Sequence, residues 1–393
     1  MCKKEYLEQI EKALVEAKVN RDIINEVIED YTEHFVMGIK NGKTEESICD
    51  ELGNIEEIVE EIKSMNQSTR NEECKNETMA DVIPCDNESD NSQSNETQSN
   101  DSDCNQAGPF SKLEVEGVCA DIIVRRGDVF KVDYTNNGSE KEKLAYQFYH
   151  YQEGDIMYVG VRENFRKMLF RIFHSSNIVL SIQLPTHVRD MKVNVASGDC
   201  RLEDIALDKL YIRTASGDIL LNHVGCKTTT LDSSSGDIRI QNGTGDTMGV
   251  KSSSGDLRIV SSTYKDFQGN TSSGDIELDG GFTGQVRAQT ASGDVESSVL
   301  SKDYYLKSIS GDVTVRMNED ASASYESISG DISIHLNNNQ NGYILNASTV
   351  SGDVDLAYAN MYQSDCKSGC YTYGNQGSQI NAKTVSGDIS LKG

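Results

Sequence analysis

At 393 residues the chain is too long for one small domain, and a net charge of −26 with a pI near 4.6 excludes sequence-independent binding of DNA or RNA. Only 36% of residues are hydrophobic and tryptophan is absent, which excludes a large globular core and points to a thin, quasi-linear one.

The first 65 residues read as helices. Tyr6, Leu7, Ile10 and Leu14 recur at helical spacing, and Ile24, Val27, Ile28, Tyr31, Phe35 and Gly38 form a second stripe. Asn41-Gly42 breaks that stripe. Thr44 then caps a short helix with Glu45 and Glu46 in its first turn, where the helix dipole favours anions. Gly53 ends it, and Asn54 caps a fourth helix whose apolar face is Ile55, Ile58, Val59 and Ile62. The expectation for 1–65 is a small bundle of about four helices. The start of the chain has no apolar run of a secretory signal, and no stretch reaches the length of a membrane span. A cytoplasmic location is therefore expected, with the ten cysteines as reduced thiols. Cys366 and Cys370 have no His or second Cys pair nearby to complete a zinc site.

Residues 66–107 are Asn, Ser, Glu, Asp and Gln with hardly an apolar side chain, and read as a disordered tether. From 108 to 190 strands return, among them Asp121-Ile-Ile-Val and Ile178 to Leu184, as an entry cap for the repeats of the C-terminal half. Within this region Arg162 to His174 is the only basic, aromatic-rich stretch. It reads either as a loop or short helix covering the first coil, or as a contact of Arg166, Lys167, Phe170 and Arg171 with an anionic membrane surface or acidic partner.

Residues 191–393 repeat. Ser-Gly-Asp occurs ten times, at Gly198-Asp199, Gly217-Asp218, Gly236-Asp237, Gly255-Asp256, Gly274-Asp275, Gly293-Asp294, Gly311-Asp312, Gly330-Asp331, Gly352-Asp353 and Gly387-Asp388. The first five steps are 19 residues each, then 18, 19, 22 and 35. Two and four residues after each glycine the side chain is nearly always apolar, as in Ile238 and Ile240, with a polar residue between; Ser297 is the break in the second row. That alternation is a half-buried strand, and a weaker strand precedes each triplet. The predicted fold is mainly β: a β-solenoid of about 19 residues per coil, right-handed by analogy, behind a small α-helical bundle. The glycine suits a tight turn between faces, and the aspartate can accept backbone hydrogen bonds. Calcium is the competing reading of the aspartates, but one Asp and one Ser per coil fall short of the six to eight oxygens it takes. The stretch 357–383 interrupts the period and is where specificity would reside.

Two resemblances cover most of the chain. The first 65 residues resemble the HAAS-type helical signalling domain of bacteria, through Tyr31-Thr-Glu-His-Phe35, Gly38, Gly42-Lys-Thr-Glu-Glu46 and Glu51-Leu-Gly53, although Ile55 stands where that family usually has proline. This resemblance implies a protein partner, a PadR-like regulator, with Tyr31, His34 and Phe35 as possible partner-binding residues. Residues 108–393 resemble a family of bacterial β-repeat domains of unknown function named putative adhesins, through Ile182-Gln-Leu-Pro185, Val193-Asn-Val-Ala-Ser-Gly-Asp199 and the repeated triplet. The expected function is that of a non-enzymatic signalling or scaffold protein with no cofactor and no catalytic or metal residues; the alternative is an envelope-associated adhesin or stress protein. A polysaccharide-cleaving enzyme fits poorly, because the acids are periodic and do not converge on one cleft.

Overall fold

The computed structural model describes residues 2–40, 43–52, 54–56, 58–60, 109–138, 143, 145–163, 178–317, 320–336, 342–358, 361–374 and 377–393. They fall into a helical and a β unit. The expected tether at 66–107, the side chain of His34, the end of the fourth helix at Ile62, and Arg166, Lys167, Phe170 and Arg171 all lie outside the described residues.

The helical unit contains α1 (Lys3–Glu16), α2 (Arg21–Lys40) and α3 (Glu45–Leu52), followed by helical turns at 55–56 and 58–60. The expected caps are present: Ser47 N–H donates to Thr44 Oγ1 at 3.2 Å, and Glu56 N–H to Asn54 Oδ1 at 3.0 Å. Both stripes face inward, burying Tyr6, Ile10, Leu14, Ile24, Val27, Tyr31 and Phe35 with Ile48 from α3. Gly38 lets α3 approach α2; a Cβ there would stand 2.6 Å from the buried Ile48 Cδ1. Among the described residues no helix is long and apolar enough to cross a membrane.

The β unit is a stack of strand pairs. In each repeat one strand leads toward Ser-Gly-Asp and another leaves it, the first being the longer in the early repeats, for example Gly225–Ser235 and then Ile238–Gln241. Each strand pairs in parallel with its counterpart one repeat away: Ile219 lies opposite Ile238, Ile238 opposite Leu257, and Ile212 opposite Leu231. Such registry puts like residues in rows about 4.8 Å apart. The apolar rows form one continuous core, in which Ile219, Ile238, Ile276, Val313, Ile332 and Ile389 are all buried. No coil could cover its own row, so burial and stacking are one event. Ser297 sits fully buried between Leu278 and Val315 in this core.

The glycine has two reasons to be glycine. At Gly255 φ is +153°, and a Cβ would lie 2.2 Å from the carbonyl oxygen of Gly236 one coil below. At Gly330, Gly352 and Gly387 the close approach alone imposes it. A second corner, six residues after the glycine, is left-handed at Asp204, His223, Asn242 and Ser261; Asp, Asn and His are among the residues that tolerate it best.

Chain order and spatial order part at both ends. The last repeat in sequence is not the last in space. Its strand Ser378–Lys383 lies between Ser322–Glu326 and Gly342–Ser348, and Ile389–Lys392 lies between Ile332–Leu336 and Val354–Tyr358, all parallel. The Gly352 coil is therefore outermost, and two antiparallel strands cover it: Met361–Cys366 on Val354–Tyr358, and Gly369–Gly374 on Gly342–Ser348. The stretch 357–383 is thus largely an end cap that explains the 35-residue step. The other end follows the same plan. Lys112–Gly117 lies between Ile156–Glu163 and Asp190–Ser197, Ala120–Arg126 lies between Ile178–Leu184 and Cys200–Glu203, and Lys131–Asn136 runs antiparallel on Ile178–Leu184. The first and last coils of the β unit in sequence are each held one place inward, and antiparallel strands blunt the exposed edge.

Candidate functional site

Three features of the β unit carry polar chemistry. The first is the aspartate ladder. The backbone N–H of each Ser-Gly-Asp aspartate donates to Oδ1 of the aspartate one coil away, at 2.8–3.0 Å, as from Asp237 to Asp218 and from Asp256 to Asp237. Among the described residues the series runs from Asp121, which accepts from Asp199, to the order 331–388–353, repeating the altered coil order. Every carboxylate in the series but that of Asp353, whose Oδ1 meets Lys367 Nζ at 3.4 Å, uses one oxygen to close a turn. Among the described residues no group of three or more His, Cys, Asp or Glu is placed to hold a metal ion.

A hydroxyl ladder runs beside it. Three residues before the glycine, Thr290, Ser308, Ser327, Thr384 and Thr349 donate to glycine carbonyls of the neighbouring coil at 2.8–3.0 Å. Serine or threonine fills this position in nine of the ten repeats, Val195 being the exception. That regularity was the available signal, and the glycine and aspartate alone do not reveal it.

The third feature is a groove of about 340 Å³ beside the first coils, where neighbouring rungs bring together Glu116, Asn194 and Arg213. Val118, Ala196 and Ala215 line it with small apolar side chains, and Tyr149 and Arg162 line it as well. The Tyr149 ring lies over Gly160, where a Cβ would stand 2.6 Å from Cζ. Tyr149 donates its hydroxyl to Glu116 Oε2 at 3.0 Å; burial and this bond to a carboxylate raise the phenol's pKa well above its usual value. Arg162 donates through Nε and Nη2 to Gln147 Oε1 at 3.2 and 3.0 Å, and its guanidinium carbon stands 5.7 Å from the Tyr149 ring centre. Tyr151 lies 6.1 Å from Tyr149 and stacks on Tyr158 at 4.8 Å.

A family model, Toastrack DUF4097, matches residues 110–300 and 244–392. The chain belongs to this family. The Toastrack match thus takes in the whole described β unit apart from Pro109 and Gly393, and leaves the helical unit outside it. Similar solved structures include a putative cell adhesion protein from Clostridium sporogenes, at 10% identity, covering 72% of this chain and 92% of that one with a TM-score of 0.18. A putative adhesin from Bacteroides fragilis has 12% identity, coverage of 73% and 94% and a TM-score of 0.32. A putative lipid binding protein from Parabacteroides distasonis has 13% identity, the same coverage and a TM-score of 0.36. No curated protein matches the chain.

In the helical unit, Tyr31 and Phe35 are core residues rather than a contact face. They are 3% and 0% exposed, with ring centres 6.2 and 5.9 Å from that of Tyr6. Among the described side chains of α2, the exposed large apolar ones are Val36 and Ile39. Cys200, in the β core, is fully buried, and burial followed by the charge of Asp199 pushes its thiol up to about 12, which leaves it inert as a nucleophile.

Proposed function

We propose that this Toastrack chain is a non-enzymatic signalling or scaffold protein, in which the helical unit docks a PadR-like regulator and the repeat stack, a right-handed β-solenoid, acts as a sensor or binding surface. The observation that carries the non-enzymatic reading is the aspartate ladder: the most regular acids of the chain are engaged, one after another, in holding turns. Catalytic carboxylates need a cleft and a pair set apart by environment, which this periodic arrangement lacks. For the helical unit, the HAAS resemblance supplies the partner class, and Val36 and Ile39 supply an exposed apolar face on α2.

The test uses the full chain as bait against a PadR-like regulator of the same cell. Capture is expected, and Val36→Asp with Ile39→Asp should abolish it without changing the melting temperature. No capture by the unaltered chain would overturn the docking half. Cell fractionation addresses location: the cytosol is expected, and recovery with the envelope would favour the alternative of an envelope-associated adhesin.

A further inference from the structure

We propose that the groove between Tyr149, Arg162 and Arg213 binds a single carboxylated sugar, a hexuronate unit within an otherwise neutral glycan. The proposal deepens the reading of the repeat stack as a binding surface and rests on it; it does not depend on the partner of the helical unit.

Several exposed cations of the stack pair with a carboxylate directly across the rung, as Arg125 does with Glu203, Lys192 with Glu114, Arg258 with Glu277 and Lys307 with Glu326, while others, such as Arg201, Lys209 and Lys251, do not. Arg213 is of the second kind, and it lines the groove. Across from Arg213 stands Asp232, yet among the described residues the Arg213 side chain makes no ion pair or hydrogen bond. Arg213 is exposed there. Opposite it, Arg162 is already held by Gln147 and by the face of Tyr149, so little conformational freedom is lost when its remaining N–H groups meet a ligand. Guanidinium groups match a planar carboxylate with paired N–H donors.

The rest of the groove selects what carries the carboxylate. Ala196, Ala215 and the Tyr149 ring line the groove with apolar surface that suits the C–H face of a pyranose, and the Asn194 amide there can serve ring hydroxyls. A volume of about 340 Å³ lies at the low end of small-ligand sites, the scale of one or two sugar rings. A bare phosphate would leave that apolar surface uncovered. A polyanion, nucleic acid or polyuronate, would meet the field of a chain at −26. One acidic unit in a neutral glycan meets both conditions. Beyond the groove Tyr151, 51% exposed, offers a further ring to the next sugar.

The experiment is an NMR titration of the full chain with cellobiouronic acid, cellobiose and inorganic phosphate. The first two differ only in a carboxylate replacing a hydroxymethyl group. Cellobiouronic acid is expected to bind at least tenfold more tightly than either of the others. Arg213→Ala should weaken it at least tenfold with no change in melting temperature, and Arg213→Lys by less. Equal binding of cellobiose, equal binding of phosphate, no binding, or indifference to Arg213→Ala would each overturn the proposal. Regulator capture on the same protein sample reads the broader function separately, so a failed titration with capture intact removes this site alone.

Discussion

The hydroxyl of Ser390 donates to that of Ser333 across 3.2 Å, although 57 residues separate them and the whole Gly352 coil lies between them in the chain. The contact marks the inward placement of the last repeat. A parallel stack ends in an open edge whose N–H and C=O groups seek partners. Here the outermost coil is the Gly352 coil, antiparallel strands cover it, and the strand Ile389–Lys392 is paired on both sides. A strand enclosed in this way cannot fray alone.

Gly255→Val is expected to destabilise the β unit by about 3–5 kcal/mol, from a positive φ combined with a Cβ against the Gly236 carbonyl. Chemical denaturation of the two proteins measures it. A change below about 1 kcal/mol would mean that the turn does not need glycine.

Asp237 both accepts from Asp256 and donates to Asp218. Asp237→Asn keeps an Oδ1 acceptor and should be nearly neutral, whereas Asp237→Ala removes the bond from Asp256 and should cost about 1 kcal/mol. If both variants lose the same stability, charge and not turn geometry is what the ladder supplies.

Ser297 occupies a core row with its hydroxyl unpartnered among the described residues. Ser297→Ala removes a buried polar group that forms no hydrogen bond, so a gain of about 1 kcal/mol is expected. A loss on thermal or urea melting would contradict this placement.

Ser111 donates its backbone N–H to Asp155 Oδ1 at 2.7 Å and its hydroxyl to Oδ2, and the hydroxyl bond first and the amide bond second hold this carboxyl below the usual range. A depressed pKa contributes stability that is present above the unfolded value and lost as pH falls through the folded one. Ser111→Ala should therefore move the Asp155 titration midpoint upward in a carboxyl-detected NMR series. An unmoved midpoint would remove Ser111 as its cause.

Much of the β unit could be read from the chain because its cadence is set by backbone geometry. The period located the coils, Ile238 and its equivalents located the core, and the glycines located the turns. The first rung escaped notice because Val118-Cys119-Ala120-Asp121 keeps the aspartate without Ser-Gly. The altered coil order escaped because a parallel pair between Ile332 and Ile389 leaves the same local pattern as one between Ile332 and Val354. The groove escaped for a different reason: Tyr149, Arg162 and Arg213 come from three strands that only the capped end brings together. In the helical unit the apolar stripes were plain, but a motif residue and a core residue look alike in sequence, as Tyr31 and Phe35 demonstrate.

Cysteine pairs test the coil order most directly. In a background lacking the native cysteines, Ser333→Cys with Ser390→Cys places two thiols on adjacent parallel rungs, and Ser333→Cys with Asp355→Cys places them two rungs apart. Mild oxidation followed by peptide mass spectrometry should find a disulfide between positions 333 and 390 and none between 333 and 355. A disulfide linking 333 to 355, with 333 and 390 unlinked, would mean that the coils follow chain order and would contradict the account.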